Sequence, residues 1–124
     1  MDAHLRAGIA VYNAGRYHAA HDAWEEYWLD LPEGDDERFL HGLIQFTAVV
    51  HHAGTENWSG ARGLAESAGR YLADLPAEYR GVNLDEVRPF LGRVAEAPRS
   101  VAWDTPPELT HEGRRVGYDD LEFE

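Results

Sequence analysis

Polar and aromatic side chains able to bind or react fall at helical spacing on two neighbouring stretches of this sequence. His21, Glu25 and Trp28 stand in Ala20-His21-Asp22-Ala23-Trp24-Glu25-Glu26-Tyr27-Trp28, and Gln45, His51, His52 and Asn57 follow Gly42-Leu43-Ile44. A helix that only packs fills such positions with Leu, Ile or Ala, because a buried imidazole or carboxamide without a partner costs the fold free energy. His21 and Glu25 are four apart and so neighbours on one face, where the carboxylate orients and charges the imidazole or shares a metal ion with it. On the next helix, steps of about 100° place His51 on the apolar arc, while His41, Gln45 and His52 share a second face. The adjacent histidines point two ways, so at most one of them faces a given site. Packed as an antiparallel hairpin, the two helices would bring His21 and Glu25 to Gln45 and to one of His51 or His52.

Two imidazoles, a carboxylate and an amide suit several chemistries. They can ligate a divalent metal through nitrogen and oxygen, or act as a general base with its orienter, although the His-Glu-x-x-His signature is absent. Aromatic side chains beside convergent polar groups equally suit a peptide or subunit contact. The same residues can also form a buried hydrogen-bond network that fixes helix register. The leading reading is a partner-binding or self-associating module whose groove is lined by His21, Glu25, Trp28, Gln45 and His51. The alternative is a metal-assisted or acid/base enzyme using His21, Glu25 and one of His51 or His52. The pattern specifies neither a cofactor nor a reaction. Asn57-Trp58-Ser59 fits a glycosylation acceptor but is better explained by Asn57 as a helix cap. Gly60-Ala61 reads as tight helix contact, since the glycine spacing and lysine of a P-loop are missing.

Five helices must position these groups. Leu5, Ile9 and Tyr12 mark the first, from Asp2 to Asn13, with Gly15 suited to the left-handed position after its end. Tyr17, Ala20, Trp24, Tyr27 and Leu31 mark the second, broken by Pro32 and Gly34. The third, from about Asp36 to His52, is apolar round most of its circumference and should be the most buried. A fourth is expected from Trp58 to Leu75, capped by Asn57 and ended by Pro76, and a fifth between Asn83 and Ala97 with Pro89 inside it. The spacing of Gly8, Ala10, Tyr12, Gly15, Tyr17, Ala20, Trp24 and Pro32 follows a tetratricopeptide helix-turn-helix unit, with a second, longer copy from Gly42 to Pro76. The fold expected is all-α, a compact bundle of about five helices built from two tetratricopeptide-like hairpins. Residues 1–98 form the helical domain, and 99–124 an extended acidic tail that Val101, Trp103, Leu109, Val116 and Tyr118 pin to it.

Composition narrows the partners and the setting. The 124 residues suit one domain, and no cysteine is present, which excludes disulfides, thiolate ligands and thiol catalysis. Twenty-three acidic residues face eleven basic ones, all arginine, for a formal charge of −12. That charge disfavours a nucleic-acid backbone or an anionic membrane surface and leaves a protein partner or a second copy of the chain. Self-repulsion of this size is screened in molar salt, where the Debye length is about 3 Å, so a salt-loving source is expected. The N-terminus lacks a basic region followed by an apolar one, and no stretch is apolar over the ~18 residues of a membrane span, so the chain reads as cytoplasmic.

Tyr12-Asn13-Ala14-Gly15-Arg16-Tyr17, Ala20-His21-Asp22 with Glu25 and Trp28, Gly42-Leu43-Ile44-Gln45, His51, Asn57 and Gly60-Ala61-x-x-Leu64 together resemble the domain of unknown function 309 family of bacteria and archaea. The resemblance runs from about Leu5 to Leu75, and the acidic, lysine-free composition looks like a haloarchaeal member. It implies a small all-helical domain with the Ala-His-acid and Gly-Leu-Ile-Gln motifs as hallmarks. Two positions depart from the family's pattern. Asp22 stands where Glu is more usual, and Glu56 precedes Asn57 where Gly is usual, which puts the turn before the fourth helix in question.

Overall fold

Apolar side chains recurring every three or four residues build five helices: α1 (Asp2–Asn13), α2 (Tyr17–Trp28), α3 (Asp35–Gly54), α4 (Trp58–Leu72) and α5 (Leu84–Glu96). The computed structural model describes residues 1–121, so the part of the tail at Glu122, Phe123 and Glu124 lies outside the described residues. Each boundary has a local cause. Gly15 takes φ 83° just past α1, where its own N–H and that of Arg16 bond back to Tyr12 and Val11 in a Schellman arrangement. Asp35, Asp36 and Glu37 fill the first turn of α3, where the helix dipole favours negative charge. The Asn57 side chain caps α4 by accepting from the Gly60 N–H at 3.1 Å.

Two helices end a turn earlier than their apolar spacing suggests. After Trp28 the chain continues in tighter turns, Asp30 to Tyr27 and Leu31 to Trp28, because Pro32 disfavours helical geometry at Leu31. The end of α4 is capped from outside: Arg88 of α5 donates to the carbonyls of both Leu72 and Leu75. Pro89 is accommodated within α5, which buries Leu84, Val87, Phe90, Leu91 and Val94.

The helices pack in chain order, each on the next, with α3 at the centre against α2 and α4. Phe39, Leu43, Phe46, Val49 and Val50 of α3 are buried, and Thr47 satisfies its hydroxyl by donating to the Ile44 carbonyl. Close approach depends on glycine in two places. A Cβ on Gly42 would sit 2.5 Å from Leu72 of α4, and one on Gly8 of α1 would sit 2.0 Å from the Trp24 indole of α2.

Two small hairpins, absent from the sequence expectation, close one side of the bundle. Strands β1 (Glu78–Tyr79), β2 (Val82–Asn83), β3 (Thr110–His111) and β4 (Arg114–Arg115) form one antiparallel sheet in the order β1-β2-β3-β4. The segment after α5 is therefore not simply extended, since it also carries single 3₁₀ turns at Pro98–Ser100 and Tyr118–Asp120. Leu109 and Val116 are buried and Val101 and Trp103 half-buried, while Tyr118 is 43% exposed.

The first hairpin is anchored by charge. Arg80 holds Asp36 bidentately at 2.6 Å and 2.6 Å, and the Tyr79 hydroxyl donates to the same carboxylate at 2.7 Å. Hydrogen bonds from Arg80 hold the Asp36 carboxyl below its ordinary range, against a burial effect that raises it and with help from Tyr79. A lowered folded-state pKa contributes stability that is present above the unfolded value of about 3.9 and lost as pH falls through the folded value. Melting curves between pH 7 and pH 2 should show this loss in the wild type. Asp36→Asn should lower stability at pH 7 by about 1 kcal/mol, the scale of a solvent-screened pair, and flatten the acid slope; parallel profiles for the two proteins would refute it.

Candidate functional site

The second helix presents four titratable side chains on its outer side. His21 Nδ1 lies 3.2 Å from Asp22 Oδ1 and 3.5 Å from Glu25 Oε2. The other carboxylate oxygen, Asp22 Oδ2, lies 3.4 Å from His18 Nε2. One ligand atom from each of His21, Asp22 and Glu25 fits within a 4.8 Å span. The spacing follows from helix geometry: His18 to Asp22 and His21 to Glu25 are both i, i+4 pairs, and His21 sits one turn beyond His18, so the rings stack with centroids 5.9 Å apart and planes 7° from parallel. His21 is half-buried, with 27% of its side chain exposed against 60% for Asp22. Across the helix boundary, His51 of α3 comes to 5.2 Å from His18, ring to ring.

A second group forms around His41 of α3. Trp28 of α2 and Tyr71 of α4 lie against this ring at 4.5 Å and 4.1 Å between centroids. Gln45 Nε2 donates to His41 Nε2 across 3.3 Å, which requires that nitrogen to be unprotonated. Burial pushes the His41 pKa below the ordinary histidine value, opposed by the charge of Glu37. Trp28 Nε1 and Gln45 Oε1 are buried in this group without a hydrogen-bond partner. A donor and an acceptor left this way cost about 1–3 kcal/mol each.

The third group is a junction. Asn57 Nδ2 donates to His52 Nδ1 at 3.2 Å while its Oδ1 caps α4, and the Asn57 N–H bonds to the His52 carbonyl at 2.9 Å. Glu56 supplies the left-handed residue this Schellman turn needs, with φ 57°. The turn thus keeps the geometry that glycine would give, at a steric cost of about 1–2 kcal/mol.

The expected single groove is therefore divided. The second and third helices do pack against one another, but Gln45 bonds to His41, one turn along α3, and the imidazole nearest His51 is His18. His51 is exposed although its angular position falls on the apolar arc. It lies in the last turn of α3, beside His18 in the first turn of α2. His52 and Asn57 hold the α3–α4 turn together. His18 sits just outside the apolar arc of α2, so packing periodicity does not single it out, although its i, i+4 spacing to Asp22 is visible in the sequence. A surface hollow of about 440 Å³ lies elsewhere, between α5 and the segment after it, lined by Asp85, Glu86, Phe90 and Arg93 among others.

Fold and site together define a small helical bundle with an imidazole- and carboxylate-bearing face on α2. Residues 5–64 match the family described as Domain of unknown function (DUF309). The match supports the resemblance drawn from the Ala-His-acid and Gly-Leu-Ile-Gln motifs, and it ends inside α4, short of Leu75. An uncharacterized protein of Aquifex aeolicus (strain VF5) is 27% identical over 107 residues, which are 86% of this chain and 31% of that protein. Uncharacterized protein YpuF of Bacillus subtilis (strain 168) is 32% identical over 94 residues, 75% of this chain and 51% of that one. The chain thus spans only part of the length of both relatives. Among the described residues, no helix is long and apolar enough to cross a membrane.

Proposed function

We propose that this chain is a helical module that binds a divalent metal ion on the outer face of α2, with His21, Asp22 and Glu25 as ligands. The observation that carries the reading is the spacing of the donors. Two ligands on a tetrahedral ion with bonds of about 2.0–2.1 Å stand about 3.4 Å apart, and His21 Nδ1 stands 3.2 Å and 3.5 Å from its two carboxylate oxygens. One imidazole with two carboxylates suits zinc, manganese or iron, and three protein ligands leave a position for water or a substrate group. The same ion would serve a metal-assisted hydrolytic step or a purely structural role.

Docking of a protein partner or a second copy is a second reading, favoured by Leu29, which is 69% exposed beside Trp28. Relatives in which the similar segment is joined to further sequence suit a module of this kind. The consecutive packing of α1 to α4 supports a tetratricopeptide-like description, with residues 1–98 as the helical domain. The lysine-free composition and charge of −12 support a salt-loving source.

Elemental analysis of protein purified without a histidine tag tests the metal reading. The expected result is stoichiometric zinc, manganese or iron, lost in His21→Ala while the helical circular dichroism is kept. Metal-free wild type that also fails to take up added zinc or manganese overturns it.

A further inference from the structure

His111 is an imidazole buried outside the α2 face. It lies in β3, is 6% exposed, and sits at the seam of the two hairpins, paired with Val82 of β2 and Arg114 of β4. We infer that His111 and Arg6 form a proton-sensitive latch, closed on a neutral imidazole and opened by its protonation, that holds residues 117–121 against α1.

The closed form follows from what each group can do. Arg6 Nη1 stands 3.1 Å from His111 Nδ1, and Arg6 Nη2 donates to the Asp120 carbonyl at 3.1 Å. A guanidinium only donates, so Nδ1 accepts and the proton of the neutral ring sits on Nε2. One arginine thereby joins α1 both to β3 and to the 3₁₀ turn at Tyr118–Asp120. Gly81 gives the ring its room: a Cβ there would stand 3.0 Å from His111 Cδ2 and 3.1 Å from Nε2.

A proton on Nδ1 removes the acceptor and sets an imidazolium against a guanidinium where burial leaves little water to screen them. The charged groups around the ring do not offset this. On α1, Asp2 stands one turn before Arg6 and pairs with Arg80 at 3.6 Å, and Arg80 of the first hairpin is held by Asp36 of α3. Arg114, directly across from His111 on β4, adds positive charge. Glu112, the acidic neighbour on the same hairpin, is exposed, and the Asp120 carboxylate accepts from the Gly117 N–H at 2.8 Å. The released segment therefore binds the proton more readily than the attached one. Attachment is complete at higher pH and is lost as pH falls through the histidine range of about 8 to 5.

Opening stays local. Pro107 to Thr110 and Val116 are bonded by Tyr12, Asn13 and Asn83, and burial keeps the Tyr12 phenol protonated throughout that range. What leaves is the part beyond Gly117, and with it Leu121, which packs half-buried against the core.

Nitrogen-15 relaxation of the full chain, recorded in steps from about pH 8 to pH 5 beside the ring nitrogen shifts of His111, tests the latch. Order parameters of residues 117–121 should fall from about 0.85 to below about 0.6, with the midpoint of the His111 ring, while the five helices stay rigid. His111→Gln, neutral throughout, should abolish the response, and Arg6→Ala should leave these amides mobile at both ends of the range. Rigid amides at the acid end overturn the latch, as does a midpoint that differs from that of the ring or a wild-type response in His111→Gln. The first two outcomes are read in the wild type, so they decide the matter even if a variant fails to fold.

Discussion

Replacing Gly8 with alanine should destabilise the fold by about 1–3 kcal/mol, the range for overpacking a filled interior, and lower the melting temperature by several degrees. The added methyl would fall 2.0 Å from Trp24 Nε1, 2.2 Å from Cε2 and 2.7 Å from Cζ2. Trp24 has no room to yield, because it is fully buried between α1 and the rest of the bundle. Its indole nitrogen also lacks a hydrogen-bond partner, so contact with α1 is made by shape alone. Trp24→Leu removes Nε1, Cε2 and Cζ2, the three atoms a Cβ on Gly8 would strike, and with them the orphaned donor. Gly8→Ala and Trp24→Leu should therefore be less costly together than the sum of their separate costs, a favourable coupling measurable by denaturant unfolding. Gly63 serves as the opposite control: it lies inside α4 with nothing within 4 Å of a built Cβ, so alanine there should stabilise by about 0.5–1 kcal/mol. Equal stability of Gly8→Ala and wild type would refute the close contact.

That contact shows where the sequence is legible and where it is not. The helices could be read because Leu5, Ile9, Trp24, Leu43, Phe46 and Val50 repeat at a period that only a helix can bury on one side. Gly15 and Asn57 could be read because their chemistry is local: one supplies a left-handed residue, the other a side-chain acceptor. Gly8 and Gly42 could be placed on helices, but not explained, because the partner that needs the missing Cβ lies on another element.

The hairpins leave no periodic signal for a different reason. Their strands are two residues long, too short for any alternation, and their turns are Arg80-Gly81 and Glu112-Gly113 with φ of 48° and 84°, then 53° and 80°. Positive φ at both central residues is the type I′ signature, yet it usually carries Asn or Asp before the glycine. Arg80 accepts the strain where its guanidinium reaches Asp36, a compensation invisible without the fold.

The site was legible in its parts and not in its arrangement. His21, Glu25 and Asp22 depend on spacing within one helix, so sequence alone brings them together. Which imidazole meets them from α3 depends on the axial stagger of two helices, which periodicity does not encode. A stagger of one turn decides between His51 beside His21 and His51 beside His18, and the structure takes the second. The same stagger leaves the Gln45 amide bonded to His41, one turn along its own helix, and not to an imidazole of α2.

The segment after α5 stays on the bundle through two asparagines, and loss of the first should release it. Asn13 Nδ2 donates to the carbonyls of Leu109 at 2.8 Å and Val116 at 2.9 Å, and its Oδ1 accepts from the Leu109 N–H at 3.0 Å. Asn83 repeats the device one step along, bonding the Glu108 carbonyl and the Thr110 N–H. Tyr12 adds a bond to the Pro107 carbonyl at 2.7 Å, and burial raises its phenol pKa, so it remains a donor at neutral pH. In Asn13→Ala three backbone groups beside the buried Leu109 and Val116 lose their partner, each at about 1–3 kcal/mol unless water reaches it. Opening the segment lets water in at the expense of exposing those two side chains, at roughly 1.5–3 kcal/mol each. The costs are comparable, so the segment should open locally while the helices hold. Trypsin should then cut the variant at Arg114 and Arg115 much faster than wild type, with amide exchange rising across residues 105–121 and α3 still protected. Asn13→Asp keeps the acceptor but sets a carboxylate oxygen against the Leu109 and Val116 carbonyls, so its cleavage at neutral pH should be at least as fast as that of Asn13→Ala. Cleavage of Asn13→Ala at the wild-type rate would mean that the apolar anchors hold the segment unaided.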